Sequence, residues 1–162
     1  MELAMEITTL LLDSSWVMIF PKNKFVSGEI NSRHDQLKDT PGYRFFDHFQ
    51  LNQPLVDYLL SVNNRLSINM FTAGHVQNLP EVRAEFNKIF ERVFSKAELG
   101  IDKTSPDAYL KIAQELGKKP EEILFIDDTQ DNVRAAEAAG MKGLVFIGND
   151  EVLNSLKKEL QF

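Results

Sequence analysis

Apolar residues in this chain fall in short unbroken runs closed by polar residues, and the runs alternate with segments of helical period. Residues 123–126, Ile-Leu-Phe-Ile, follow Pro120 and stop at Asp127-Asp128, as a strand buried on both faces of a parallel sheet would. Residues 7–12 form a second such run, closed by Asp13, and residues 66–71 a third, closed by Thr72-Ala73-Gly74. Val93-Phe94 suggests a short strand and residues 144–147 a last one. Between them, Pro54 opens a helix over 54–62, and residues 80–90 place Val82, Phe86, Ile89 and Phe90 on one helical face. Ser105 as N-cap and Pro106 in the first turn start a helix that runs to about Leu116, where Gly117 ends it. An Ala-rich helix spans 131–139 up to Gly140, and residues 151–160 form the last helix. Such alternation implies an α/β fold, a doubly wound parallel sheet with helices on both faces and right-handed crossovers.

Residues 14 to about 50 break the pattern. They mix aromatics (Trp16, Phe20, Phe25, Tyr43, Phe45, Phe46) with turn formers and follow no clear period, with a hairpin expected around residues 25–30. An irregular stretch of this length is usually a lid or a binding loop. The expected organisation is one domain over residues 1–162 with a short loop-rich insertion after the first strand. Residues 16–52 act in it as a small flap whose Trp16, Phe20, Tyr43 and Phe45 partly cover the site.

Composition narrows the function classes. The chain has 162 residues, 43% of them hydrophobic and 26% charged, enough for one domain with a substantial core. A net charge of −6 argues against non-specific nucleic-acid binding, and no basic amphipathic stretch points to a membrane surface. With no cysteine, disulfides, thiolate nucleophiles and Cys-based metal sites are excluded. The opening residues 1–6 lack a basic leader region and a long apolar run, so a cytoplasmic protein is expected. Oligomeric state is open.

Candidate chemistry gathers at the strand ends. All strand C-termini of a parallel sheet lie on one edge, so Asp13, Thr72 and Asp127-Asp128 converge although far apart in sequence, with Lys103 just before a helix start. Carboxylates crowded at one edge repel one another unless a cation stands among them. A hard dication with oxygen ligands, Mg²⁺, suits them best, with Lys103 neutralising the remainder and holding a phosphoryl oxygen.

In these segments the chain resembles the haloacid dehalogenase-like (HAD) superfamily along nearly its whole length. Leu10-Leu11-Leu12-Asp13-Ser14-Ser15 resembles the first family motif, Asn69-Met70-Phe71-Thr72 the second, and Lys103-Thr104-Ser105-Pro106 the third. Asp127-Asp128-Thr129-Gln130-Asp131-Asn132, continuing to Gly140-Met141, closely resembles one variant of the fourth. The resemblance implies a Rossmann-like core and a Mg²⁺-dependent hydrolase of small-cap or capless type, acting on a phosphorylated small molecule. Asp13 would be the nucleophile that forms an aspartyl-phosphate. Asp13, the Ser15 carbonyl and Asp128 would hold the metal, and Asp127 would orient the metal-bound water or Lys103. Thr72 and Lys103, with Ala73 and Ser15, would bind the transferring phosphoryl group. Pairing of Asp128 with Asn132 is the preferred register, and Asp127 with Asp131 the alternative.

One departure matters. The family's first motif carries a second aspartate, which protonates the leaving alkoxide and then activates water, and here Ser15 stands in its place. Loss of general acid–base catalysis typically costs about 10²–10⁴-fold. Turnover of alkyl phosphates is expected to be poor, while good leaving groups remain accessible. The alternative is a non-catalytic, phosphate-ligand-binding or regulatory protein on the same scaffold; a metal-free dehalogenase is disfavoured by Asp127-Asp128. Arg33, His34 and Arg44 read as a solvated face, with anion binding the other option, and His48 and His75 as loop or surface residues.

Overall fold

The computed structural model describes residues 5–24 and 28–162. In chain order its elements are β1 (Thr9–Leu12), β2 (Ile19–Pro21), α1 (Ile30–Leu37), α2 (Phe45–His48), β3 (Phe49–Leu51) and α3 (Gln53–Val62). Then come β4 (Ser67–Thr72), α4 (Pro80–Phe86), β5 (Arg92–Ser95), α5 (Lys96–Leu99), α6 (Pro106–Leu116), β6 (Ile123–Asp127), α7 (Gln130–Ala138), β7 (Lys142–Val145) and α8 (Asn149–Leu160). Five strands form one parallel sheet in the order β5-β4-β1-β6-β7, as the alternating pattern implied.

Strand geometry sends successive side chains to opposite faces, which is why the central runs are apolar throughout. Leu10 and Leu12 of β1 join Ile68, Met70, Leu124 and Ile126 in a core with residues of α3, α4 and α8. Leu11, between them, packs on the other face with Phe71, Phe125 and residues of α6 and α7. The chain crosses from β5 back to β6, so β1 and β6 flank the reversal of strand order. Ligand crevices of open α/β sheets lie outside the strand C-termini at such a point. Leu12 pairs with Ile126 and the Asp13 N–H donates to the Ile126 carbonyl at 2.9 Å, which sets Asp13 level with Asp127.

Local boundaries differ where pairing overrides the apolar run. β7 occupies 142–145 and not 144–147, because its partner β6 sets the register, Leu124 against Lys142 and Asp127 against Val145. Ile147 is left 74% exposed. α4 ends at Phe86, and the following turn brings the Glu91 N–H to the Ile68 carbonyl at 2.8 Å, where β5 begins.

The insertion is more ordered than its aperiodic sequence suggested. β2 and β3 form an antiparallel ribbon, Phe20 opposite Gln50, and Phe45 stacks on Phe49 with ring centroids 4.6 Å apart. The hairpin expected around residues 25–30 lies partly outside the described residues, and Ile30 opens α1. Asn52 anchors the end of the insertion: its N–H donates to the Met18 carbonyl at 2.8 Å, and its amide exchanges hydrogen bonds with that of Asn149. Among the described residues, no helix is long and apolar enough to cross a membrane.

Candidate active site

Three remote segments meet at the C-terminal edge of the sheet. The Lys103 ammonium donates to Asp13 Oδ1 at 2.7 Å and to the Phe71 carbonyl at 2.9 Å, and it lies 2.7 Å from Asp127 Oδ2. Lys103 is 4% exposed and Asp127 fully buried, so neither charge has water to fall back on. Beneath the ammonium lie the rings of Phe71 and Phe125, 5.1 and 5.6 Å from Nζ. The Tyr109 hydroxyl donates to the Lys103 carbonyl at 2.7 Å from inside the core and holds the backbone that presents the lysine. Asp127 is fixed on its other side by the Thr129 N–H at 2.8 Å and by Asn132 Nδ2 at 3.1 Å. Asn132 therefore serves Asp127, and not Asp128 as the preferred register had it. Once β6 ends at Asp127, the first turn of α7 brings Asn132 back over that residue.

The electrostatics are unbalanced. Carboxylate oxygens of Asp13, Asp127 and Asp128 all lie within 4.8 Å of one another. When all three acids are ionised, one ammonium leaves two negative charges uncompensated. Burial pushes the Asp13 carboxyl up, Lys103 opposes this, Asp127 adds to it, and the result is about 6. Asp128 stands outermost; partial desolvation, then the fields of Asp13 and Asp127, push it up to about 7. Burial alone would lower the Lys103 ammonium, but Asp13 and Asp127 together outweigh it and its pKa is raised. Oxygen-only donors carrying excess negative charge fit a hard dication.

The loop after β1 is bent tightly. The Ser14 carbonyl accepts from the N–H groups of Val17, Met18 and Ile19 at 3.4, 2.8 and 3.1 Å, and Trp16 takes a left-handed backbone conformation with φ of 63°. Ser15 is half-buried, and its Oγ faces Asn31 Nδ2 of α1 at 3.4 Å. The same Asn31 accepts the N–H groups of His75 and Val76 at 2.7 and 3.0 Å. One insertion residue thus ties the position after the first strand to the loop after β4. Gly74 is required there, since a Cβ would stand 2.2 Å from the Asn31 amide nitrogen.

Of the remaining candidates, Thr72 is buried at the end of β4, one residue past the carbonyl that holds Lys103, and its Oγ1 accepts the Gly74 N–H at 3.2 Å. Ala73 is exposed at the loop mouth. Trp16 and Phe20 line a cavity of about 530 Å³ that also touches Asp128. Phe45 does not cover the site: it is fully buried in the core, because α2 turns it inward onto Phe49. Tyr43 bonds His34 Nδ1 at 2.8 Å. His34, expected on a solvated face, is buried on α1, while Arg33 and Arg44 are exposed. His75 pairs with Asp35 at 3.0 Å and His48 stacks on Tyr43. Asn31 and Tyr109 had no sequence signal, since a polar residue in an aperiodic loop and an aromatic on a core face are both ordinary.

The haloacid dehalogenase-like hydrolase family model matches residues 35–140. A flavin mononucleotide hydrolase of Arabidopsis thaliana is 34% identical over 120 residues, 74% of this chain and 45% of that protein. An enolase-phosphatase E1 of Lachancea thermotolerans is 28% identical over 120 residues, 67% of this chain and 55% of its own length. The chain thus spans about half the length of these two relatives. A HAD-family enzyme of Bacteroides thetaiotaomicron, solved with magnesium and inorganic phosphate, superposes with a TM-score of 0.59 at 16% identity, covering 86% of this chain and 93% of that one.

Proposed function

This chain belongs to the haloacid dehalogenase-like hydrolase family, and from that premise we propose that it is a Mg²⁺-dependent phosphohydrolase acting on a phosphorylated small molecule. The observation that carries the proposal is the bridge from Lys103 to Asp13 and Asp127, with Asp128 completing a set of three carboxylates whose oxygens lie within 4.8 Å. Both relatives are named for phosphate-ester hydrolysis, and the Bacteroides neighbour binds magnesium and phosphate, which supports the same reading.

Asp13 is the nucleophile. Its carboxylate attacks phosphorus, the bond to the ester oxygen breaks, and an aspartyl-phosphate forms; water then attacks phosphorus and restores the carboxylate. Lys103, held between Asp13 and Asp127, aims the nucleophile and pairs with a phosphoryl oxygen. Asp127 orients Lys103, while Thr72, Ala73 and the Ser15 segment surround the phosphoryl group. Asp13, Asp128 and the Ser15 carbonyl would hold the metal; the Ser14 carbonyl already accepts the N–H groups of the turn. Bound there, Mg²⁺ supplies charge neutralisation and Lewis-acid polarisation of the phosphoryl oxygens. Residues 16–52 serve as a small flap over this edge of one HAD-like domain.

Ser15 weakens the acid–base half of the reaction, so the enzyme is slow on alkyl esters and its aspartyl-phosphate is long-lived. The same residue supports a second reading, in which the site binds a phosphorylated ligand without turning it over. Acetyl phosphate hydrolysis with Mg²⁺, compared between wild type and Asp13→Asn, separates them. Loss of at least 10³-fold in the variant, with phosphate trapped on Asp13 of the wild type, is the expected result. Equal rates would remove Asp13 from the chemistry, and tight phosphate binding without consumption would favour the second reading.

A further inference from the structure

We propose that the cavity beside Asp128 receives the leaving group of an aryl phosphate ester, so that the preferred substrate carries its phosphate on a phenolic oxygen. The inference rests on the assignment of Asp13 as nucleophile given above. It joins two observations made at different places in the site.

The first is the shape and lining of the cavity. Its volume of about 530 Å³ falls within the range of small-molecule sites, and its walls include Trp16, Phe20, Pro21, Lys24, Gln50 and Asp128. Asp128 belongs to the carboxylate cluster around Asp13, so the cavity borders the acidic cluster, and its other walls include Phe20, Pro21 and Gln50 of the β2–β3 ribbon. Attack in line by Asp13 places the leaving oxygen on the far side of phosphorus from the Asp13 carboxylate. Trp16 and Phe20 meet edge-to-face at 86° with centroids 5.7 Å apart, and both line the cavity, an aromatic wall for a planar guest. The indole is held by its Nε1 hydrogen bond to the Gly28 carbonyl at 3.1 Å, and Phe146 backs Phe20 at 6.0 Å. Trp16 also pays for its place with a left-handed backbone, a conformation that tryptophan rarely adopts and that tends to persist at functional sites. Lys24 adds a cation on the same wall for a developing phenolate or an acidic ring substituent.

The second is the missing proton donor. Ser15 Oγ is engaged by Asn31 and cannot titrate near neutral pH, and Asp128 belongs to the metal cluster. Among the described residues, no carboxylic acid outside the metal cluster lines the cavity, so a leaving oxygen that is stable as its anion is favoured. A phenolate meets this, since phenols titrate near pH 10 as tyrosine does, whereas an alkoxide resembles hydroxide, whose parent acid, water, is far weaker. The step balances: Asp13 carboxylate and aryl phosphate dianion give aspartyl-phosphate and phenolate, and water later converts the acyl phosphate to free carboxylate and dihydrogen phosphate. An aromatic wall and an absent acid then select the same substrate class.

The test uses the full chain with Mg²⁺. Binding of phenylphosphonate and methylphosphonate is compared by calorimetry, and hydrolysis is followed for phenyl, benzyl and ethyl phosphate, with acetyl phosphate as a ring-free reference. Phenylphosphonate is expected to bind at least tenfold more tightly than methylphosphonate. Benzyl phosphate, which keeps the ring but must release an alkoxide, is expected to have a kcat/KM at least 100-fold below that of phenyl phosphate. Trp16→Ala and Phe20→Leu should each lower the ratio of phenyl to acetyl phosphate kcat/KM at least tenfold. Equal phosphonate affinities, or a ratio unchanged in both variants, would overturn the cavity assignment while leaving acetyl phosphate turnover and the role of Asp13 intact. Wild-type failure on acetyl phosphate, or full activity of Asp13→Asn, would sink the enzymatic reading and this inference with it.

Discussion

Asn31 Nδ2 stands 3.4 Å from Ser15 Oγ, and through that contact the residue two places after Asp13 is tethered to a helix of the insertion. A carboxylate at position 15 would therefore find a hydrogen-bond donor already in place. Ser15→Asp is expected to raise ethyl or glycerol phosphate hydrolysis by one or more orders of magnitude, within the roughly 10²–10⁴-fold that general acid–base catalysis supplies. Steady-state rates on an alkyl ester, with acetyl phosphate as control, measure it; an unchanged alkyl rate would show that the serine is not the deficit.

The other end of Asn31 predicts a stability coupling. Its Oδ1 takes the N–H groups of His75 and Val76, and Gly74 leaves room for its amide. Asn31→Ala should cost about 1–3 kcal/mol, the usual penalty for stranding buried donors. Gly74→Ala should destabilise by a comparable amount, and the two together by clearly less than the sum, because the atoms nearest the alanine methyl belong to a side chain the double variant lacks. Urea unfolding of the four-member cycle decides this, and simple additivity would contradict the contact.

Lys103 is the sole cation among the described residues within salt-bridge distance of Asp13 and Asp127. Lys103→Met removes it and leaves two carboxylates facing each other in the core. A loss of about 3–5 kcal/mol is expected for breaking such a buried pair, together with loss of phosphotransfer. Raising Mg²⁺ should restore part of the stability and none of the activity, read by thermal unfolding and by acetyl phosphate assay.

The acidic cluster sets a pH dependence of known sign. Folding raises Asp13 from the ordinary 3.8 to about 6 and Asp128 to about 7, so between pH 4 and 7 the folded state binds more protons than the unfolded one. Stability contributed by these groups therefore falls as pH rises through that window. Without metal, Asp128→Asn should flatten the decline of Tm between pH 5 and 7.5. Mg²⁺ should stabilise the wild type more at pH 7.5 than at pH 5, where it competes with protons. A metal effect equal at both pH values would remove these carboxylates from the site.

The chain order of apolar runs was enough to read the sheet and the convergence of its polar strand ends. Runs such as 123–126, apolar at every position and alternating with helical segments, fit strands buried on both faces of a parallel sheet, and parallel strands share one C-terminal edge. The meeting of Asp13, Lys103 and Asp127 was legible for that reason: each follows an apolar run or precedes a helix cap, so its place is set by local pattern. Residues 14–50 were not legible, because their order comes from contacts across the chain. Phe20 against Phe146 and Asn31 against the loop at Gly74, with Asn52 against Asn149 just beyond, leave no period in the sequence.

Sequence alone therefore determined the fold class and which charges share one edge of the sheet. Tertiary structure decided which partner each charge takes. Asn132 turned to Asp127 rather than Asp128, Tyr109 reached the Lys103 carbonyl, and Trp16 with Phe20 came to border Asp128. The physical reason is range: burial patterns repeat along a strand or helix and can be counted, whereas a hydrogen bond or a cavity wall depends on distances of a few ångströms between residues that only the packed core brings together.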